Sequence, residues 1–381
     1  MDKKISKASN WELFTLFLVY FVINFSFLVK YGVRQSVISI YILMPIFILF
    51  HIGIYKWGIP LISRWVKTPS MIKGWVIAIA IIYLGLTHVL NDPYKLKIDR
   101  WQTIEYTMRY WLDGKYIYDT RNYMGNFPSY LPGQLLIILP FYFLGNVGYL
   151  QVAAFILFGY AVSKEFKNQN IKFLAIFLLS ISLSYVYELV CKSDLISSFI
   201  LVSAFILYWH RKFQEDYFKK PFLLGLILGG ICLTRSVVVI PLILFLLKPF
   251  LETNFKNKIK VCIGFVITFS ILLFTVLAPA KDFDYILKYN PLQLQGQANK
   301  YVTILFLILT VILAFFVKSF KQVFFLSTLI IWGVMASFII ETILRGFTLE
   351  YMSFSYWASA LPFCIIAYCY EMQEQRYSDG E

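Results

Sequence analysis

Apolar residues in this chain come in long unbroken runs separated by short polar connectors, with no sustained strand-like alternation. Twelve runs stand out, near 11–29, 37–55, 74–90, 133–145, 147–163, 173–190, 195–210, 222–247, 259–278, 301–317, 322–340 and 354–370. Most have the roughly 16–20 residues that carry a helix across a bilayer core. A transmembrane β-barrel would instead show short alternating segments. The pattern predicts an all-α, polytopic membrane protein with about 11–13 membrane segments. One domain covers 1–381. A single long interval breaks the pattern: Asp92 to Pro132 holds eleven charged side chains. Within it, Ile98, Trp101, Ile104, Met108, Trp111 and Leu112 recur at roughly helical spacing. This predicts an amphipathic helix over 98–112 lying in the membrane interface. Asp113-Gly114 would end it, because glycine accepts the left-handed conformation of a helix C-terminus.

Composition sharpens the class. The chain is 59% hydrophobic and 15% charged, whereas soluble domains are about 45–50% apolar and about 25% charged. Its net charge of +14 fits connector topology, since cytoplasmic loops of membrane proteins collect Lys and Arg. No basic patch interleaved with aromatics marks a soluble module, so nucleic acid is not an expected partner. The five cysteines (Cys191, Cys232, Cys262, Cys364, Cys369) form no CxxC or metal-ligand spacing and read as single buried thiols. The N-terminus has a basic start and no small-residue cleavage site, so it reads as a retained first span.

Connector charges assign the sides. Lys3, Lys4 and Lys7 put the N-terminus inside, and Lys56, Arg64, Lys67 and Lys73 put the second connector there too. The run 74–90 then leads outward and delivers Asp92–Pro132 to the external face. Arg211, Lys212, Lys219 and Lys220 mark a further inside loop, as do Lys248, Lys256, Lys258 and Lys260, and then Lys318 with Lys321. The C-terminus is inside. Parity fails at one place, because the lysines of Lys164–Lys172 belong inside while two full crossings before them would put them outside. A half-crossing or interfacial helix at 133–145, bounded by Pro132 and Gly145, removes the conflict. Arg235 lies mid-way along 222–247, a costly depth for a charge unless it faces a water-filled cavity. That run therefore reads as two short arms with Thr234-Arg235-Ser236 at the external tip.

The polar interval also carries a resemblance. Asp99 follows an outgoing span, Gly114-Lys115-Tyr116-Ile117-Tyr118 makes a turn fifteen residues on, and Tyr130-Leu131-Pro132-Gly133 leads the next apolar run. With Lys192-Ser193-Asp194 after a later span and Leu233-Thr234-Arg235 at a hairpin tip, the chain resembles the GT-C superfamily of integral membrane glycosyltransferases. The likeness is best over 74–250. It implies a mannosyltransferase-like enzyme that uses a polyprenyl-phosphate sugar, acts on a glycan, glycolipid or protein acceptor, and works on the external side of a bacterial inner membrane. By carry-over, Asp99 is the general base and Asp194 orients the acceptor or nearby cations. Inverting transfer needs a base for the acceptor hydroxyl and cations for the departing phosphate. Arg235, Lys192, Lys300 and Arg345 are the candidate phosphate ligands, and Arg100 and Tyr130 complete the substrate-binding candidates. Some members of the superfamily carry an acidic pair where this chain has Asp99-Arg100. No metal ligand or cofactor is assigned, and divalent-metal involvement stays open; the lipid-linked sugar is a substrate.

Blander roles compete at each position. An Asp in a basic loop is usually a counter-charge, Asp194 stands where a helix N-cap would, and for Arg235 the blander role is to neutralise an acidic neighbour. Asp92-Pro93 starts a turn. Gln293, Gln295 and Gln297 suit a sugar or simply a polar loop. Two other functions remain open: a lipid-linked-sugar transporter or flippase, for which matching broken halves would be expected, and a polysaccharide polymerase or ligase, whose large external loop would come late in the chain.

Overall fold

A computed structural model describes residues 10–65, 68–90, 92–94, 98–292, 299–346 and 354–378. The N-terminal lysines and Gln293, Gln295 and Gln297 lie outside the described residues. Each of the twelve apolar runs falls on helix, and no strand occurs among the described residues. The elements are α1 (Asn10–Gln35), α2 (Ile40–Gly53), α3 (Ile59–Trp65), α4 (Pro69–Leu86), α5 (Arg100–Leu112), α6 (Pro132–Phe143), α7 (Tyr149–Glu165), α8 (Gln169–Ser180) and α9 (Leu183–Val190). They continue with α10 (Leu195–Phe213), α11 (Pro221–Cys232), α12 (Val239–Glu252), α13 (Phe255–Leu277), α14 (Phe283–Lys288), α15 (Lys300–Phe316), α16 (Phe320–Leu344) and α17 (Leu361–Ser378). A π-helical turn, Ile54–Gly58, joins α2 to α3, and 3₁₀ turns open α12 (Ser236–Val238) and α17 (Phe354–Ala360).

Among the described residues, five helices are long and apolar enough to cross a membrane: α1, α2 continued through α3, α4, α13 and α16. A sixth is counted if α8 and α9 form one span broken by 53°. The chain is thus a helical membrane protein, built partly from apolar helices too short or too bent to cross alone. The break in the run 173–190 was not expected from periodicity. Side chains of other helices stabilise it. Asn24 Oδ1 accepts from Ser184 N at 3.0 Å and from the Ser182 hydroxyl at 2.7 Å. The hydroxyls of Tyr20 and Tyr83 donate to the Leu178 and Ser180 carbonyls, which the end of α8 leaves without helical partners.

The run 222–247 divides as expected, with α11 ending at Cys232 and α12 starting at Val239. Three glycines let α11 and α13 touch backbone to backbone. A Cβ on Gly225 would stand 2.2 Å from the Val261 carbonyl oxygen, and one on Gly264 would stand 2.4 Å from that of Phe222. Small residues that permit such approach are a usual means of helix association where the surroundings are apolar. All five cysteines are free; Cys191, Cys364 and Cys369 are buried as expected, whereas Cys232 is half-buried and Cys262 is exposed.

α6 begins and ends at one end of the bundle. At its start, Gln134 N donates to the Leu233 carbonyl at 3.2 Å, in the α11–α12 turn. Just past its end, Asn146 reaches the cap of α4 at Thr87, and Gly148 packs beside Lys192. α7 then runs to the opposite end, where the Tyr370 hydroxyl donates to Glu165 at 2.6 Å. There Lys321 bridges Glu371 and Glu374 at 3.0 and 2.7 Å, and His210 stacks on Phe320. The lysine-rich connector after α7 therefore shares an end with Arg211 and Lys321. α6 itself is one of the shorter apolar helices, at 12 residues.

Candidate functional site

At the other end of the bundle, segments from widely separated parts of the chain enclose a cavity of about 610 Å³. Its walls come from the end of α1, the start of α5, the loop 122–130, the α9–α10 turn, the α11–α12 turn and the 3₁₀ turn before α17. Five expected site residues line it: Asp99, Arg100, Tyr130, Asp194 and Arg235.

Asp99 occupies the N-cap position of α5 without using its side chain as a cap. Its backbone carbonyl accepts from Thr103 N at 2.9 Å. Its Oδ2 instead accepts from the amides of Asn122 and Asn126, at 2.7 and 2.9 Å. Asn122 Oδ1 in turn accepts from Met124 N and Asn126 N, folding 122–126 into a tight loop that Gly125 completes at φ 82°. Neutral amides therefore fix the carboxylate. At its far end α5 closes as expected: Gly114 has φ 66°, and Lys115 N returns to the Tyr110 carbonyl at 2.9 Å.

Asp194 is handled differently. It too stands at an N-cap position, of α10, but makes no cap bond. Its Oδ2 accepts from Arg235 Nη2 at 2.5 Å, in a pair whose side chains are 2% and 10% exposed. The cap of α10 comes from Glu188, whose Oε2 accepts from Ile196 N at 3.0 Å. The other Glu188 oxygen pairs with Arg100, which also donates to the Ser193 hydroxyl at 2.6 Å. Arg100 and Arg235 thus each have a carboxylate partner. A buried charge in hydrocarbon surroundings needs one. The Arg235 guanidinium lies 5.5 Å from the Tyr130 ring centre, while its buried Nε has no partner among the described residues. Burial, reinforced by the Asp194 carboxylate, pushes the Tyr130 phenol well above its usual range, so it stays a neutral hydroxyl.

Lys192 does not reach the cavity among the residues that line it. In a left-handed backbone conformation (φ 50°), it lays its ammonium 3.4 Å from the centre of the Trp101 ring. Burial lowers its pKa, against the pull of Glu105. Its role is to clamp the α9–α10 turn onto α5, beside the Arg100–Ser193 bond. Lys300 opens α15 next to Tyr301, and Arg345 pairs with Glu341 at the exposed end of α16. Neither is among the described residues of the cavity wall.

Five contributors were not singled out from sequence. Lys30 and Arg34 bring two more cations from the last turns of α1. The charge argument that placed Asp92–Pro132 outside also places the α1–α2 connector there, so that signal was present. Glu188 was concealed in an apolar run, although a lone carboxylate inside such a run is itself a mark of function or pairing. Asn122 and Asn126 gave no signal, because a loop asparagine usually serves only its own turn. Among the described residues, no group of three or more His, Cys, Asp or Glu is placed to hold a metal.

No family model, curated protein or solved structure matches this chain.

Proposed function

We propose that the cavity is the active site of a membrane glycosyltransferase that moves a hexose, mannose-like, from a polyprenyl-phosphate sugar to an acceptor hydroxyl with inversion. The observation that carries this reading is the division of labour between the two cavity carboxylates. Asp99 is held by two neutral amides, whereas Asp194 is bound to a guanidinium. A carboxylate free of a tight ion pair can take a proton, and one locked to Arg235 serves better to hold that cation in place. Asp99 is thus the base that takes the acceptor's proton as its oxygen attacks the anomeric carbon. The bond from that carbon to the phosphate oxygen breaks, and the phosphate leaves toward the basic wall. A cavity of about 610 Å³ falls within the range of roughly 300–1,000 Å³ typical of small-molecule sites.

The surroundings fit the same reading. The opposite end of the bundle carries Lys164, Arg211, Lys212 and Lys321, which supports a cavity facing outward from a bacterial cytoplasmic membrane, with both chain termini inside. The acceptor is a glycan, glycolipid or protein hydroxyl. Asp99→Asn keeps the side-chain shape and removes the base. In purified protein supplied with polyprenyl-phosphate sugars, transfer is expected to fall at least a hundredfold with unchanged thermal stability. Retention of wild-type transfer by Asp99→Asn would rule out Asp99 as the base.

A further inference from the structure

At the end of the bundle opposite the cavity, α3, α4 and α8 leave a second hollow of about 330 Å³ between them. It shares no residue with the first. Leu61 and Ile62 of α3, Gly74, Trp75 and Ala78 of α4, and Phe173 of α8 make its wall. That wall is hydrocarbon. The Trp75 ring stands edge-on to Phe173 with centres 5.4 Å apart, and its one polar atom, Nε1, donates to the Ser180 hydroxyl at 3.4 Å. Gly74 makes the hollow, since a Cβ there would meet nothing within 4 Å. Leu61 on α3 and Ile77 and Ile81 on α4 are exposed, and both α4 and α2 continued through α3 are apolar enough to cross a membrane. The groove therefore opens sideways toward lipid rather than water.

The charge around it has one sign. No acidic residue occurs between Glu12 and Asp92, whereas the stretch leading into α4 carries Lys56, Arg64, Lys67 and Lys73. Lys73 immediately precedes Gly74 and is exposed, and Lys172 immediately precedes Phe173 in the first turn of α8 and is half-buried. Neither has a carboxylate partner among the described residues. We infer that this groove holds an acyl chain of an anionic phospholipid, whose headgroup meets Lys73 and Lys172 at the membrane surface. Lysines near helix ends lay their stems along apolar surface and extend their ammonium groups to headgroup level. Basic positions beside a crevice between membrane helices suit an anionic headgroup. A second copy of this chain fits worse, because a two-fold contact through the groove would bring the same cations face to face. The site stands independently of the proposed transfer reaction.

Full-length protein in lipid nanodiscs is titrated with phosphatidylglycerol and with phosphatidylethanolamine, each brominated on its acyl chains. Bromine quenches tryptophan on contact. Trp75 is one of nine tryptophans, so its share is the difference between wild type and Trp75→Phe. Trp75 is expected to show a roughly tenfold preference for phosphatidylglycerol over phosphatidylethanolamine. Gly74→Leu, whose Cβ meets no protein atom, should fill the hollow and abolish this quenching. Lys73→Gln/Lys172→Gln should keep the chain contact but make the two lipids nearly equal. Equal quenching by both lipids in wild type overturns the site, as does quenching that persists in Gly74→Leu or a preference unchanged in the lysine double variant. If Trp75→Phe does not fold, native mass spectrometry of wild type counts the lipids retained from an equal mixture, and equal retention overturns the site. Absence of Trp75 quenching, together with a dimer that Gly74→Leu dissociates, would assign the groove to a second copy and reject the lipid.

Discussion

Replacing Glu188 by Gln should cost far more than its chemistry suggests. The wild-type carboxylate is fully buried and serves two partners. One oxygen pairs with Arg100, itself 20% exposed at the side chain, and the other caps α10 at Ile196 N. The glutamine oxygen can keep only one of these bonds, and its amide group turns donors toward the guanidinium or toward the Ile196 N–H. Removing one partner of a buried pair typically costs about 3–5 kcal/mol, because the remaining charge is left desolvated. Partial access of Arg100 to the cavity puts the expectation near the lower figure, about 3 kcal/mol. A lost cap would add roughly 1 kcal/mol. Glu341→Gln provides the contrast. It breaks an i,i+4 pair with Arg345 whose side chains are 64% and 30% exposed, a type worth only about 0.3–0.5 kcal/mol. Denaturation of both variants in the same detergent, followed by intrinsic fluorescence, gives the comparison. The double variant Arg100→Met/Glu188→Leu should be milder than Glu188→Gln, since it leaves no orphaned charge. Equal stability of Glu188→Gln and Glu341→Gln would refute the view that this pair holds α5 to the α9–α10 turn.

Two further outcomes follow from the geometry. Gly133→Ala would place a Cβ 2.4 Å from the Gly230 carbonyl oxygen and 2.8 Å from the Leu233 carbonyl. Since backbone must give way, a loss of about 1–3 kcal/mol or more is expected in thermal or chemical unfolding, with transfer reduced as the Arg235 turn shifts. Asn126→Ala removes one of the two amides on Asp99 from an exposed position. Transfer should fall roughly tenfold through kcat while stability stays within about 0.5 kcal/mol of wild type, and an unchanged kcat would show that this amide does not position the base.

Much of this fold was legible because apolar periodicity and connector charge are local quantities. The start of α5 near Asp99, its end at Gly114, the division of 222–247 at Arg235 and the short helix at 133–145 all follow from residues close together in sequence. The bend at Ile181–Ser182 does not. It depends on Asn24, about 160 positions away, whose side-chain oxygen serves both Ser182 and Ser184. The cavity was legible only in part, for the same reason. Arg235 stood out as a charge at a costly depth, and Asp99 and Asp194 through their place in a family-like pattern, but which carboxylate meets which cation is decided by tertiary contact. Lys192 and Lys300 were among the sequence candidates for binding phosphate. The structure puts one over Trp101 and the other beside Tyr301, away from the cavity wall, and brings Lys30 and Arg34 there instead.

The composition of the cavity wall also bears on how the protein is made. Its contributors enter the chain at Lys30, then at Asp99, at Asp194 and Arg235, and last at Ser355 and Tyr356. Synthesis proceeds from the N-terminus, and regions made first tend to fold first. Asp99 and the basic wall would then be in the membrane well before the turn leading into α17 arrives to close the cavity. During that interval Arg235 and Asp194 lack one wall of their enclosure and depend on each other for neutralisation. A ribosome stalled before Ser355 should therefore present a chain with its ion pairs formed and its cavity open on one side. Protease or alkylation footprints of such nascent chains would record the order in which a polar site is assembled inside a lipid bilayer.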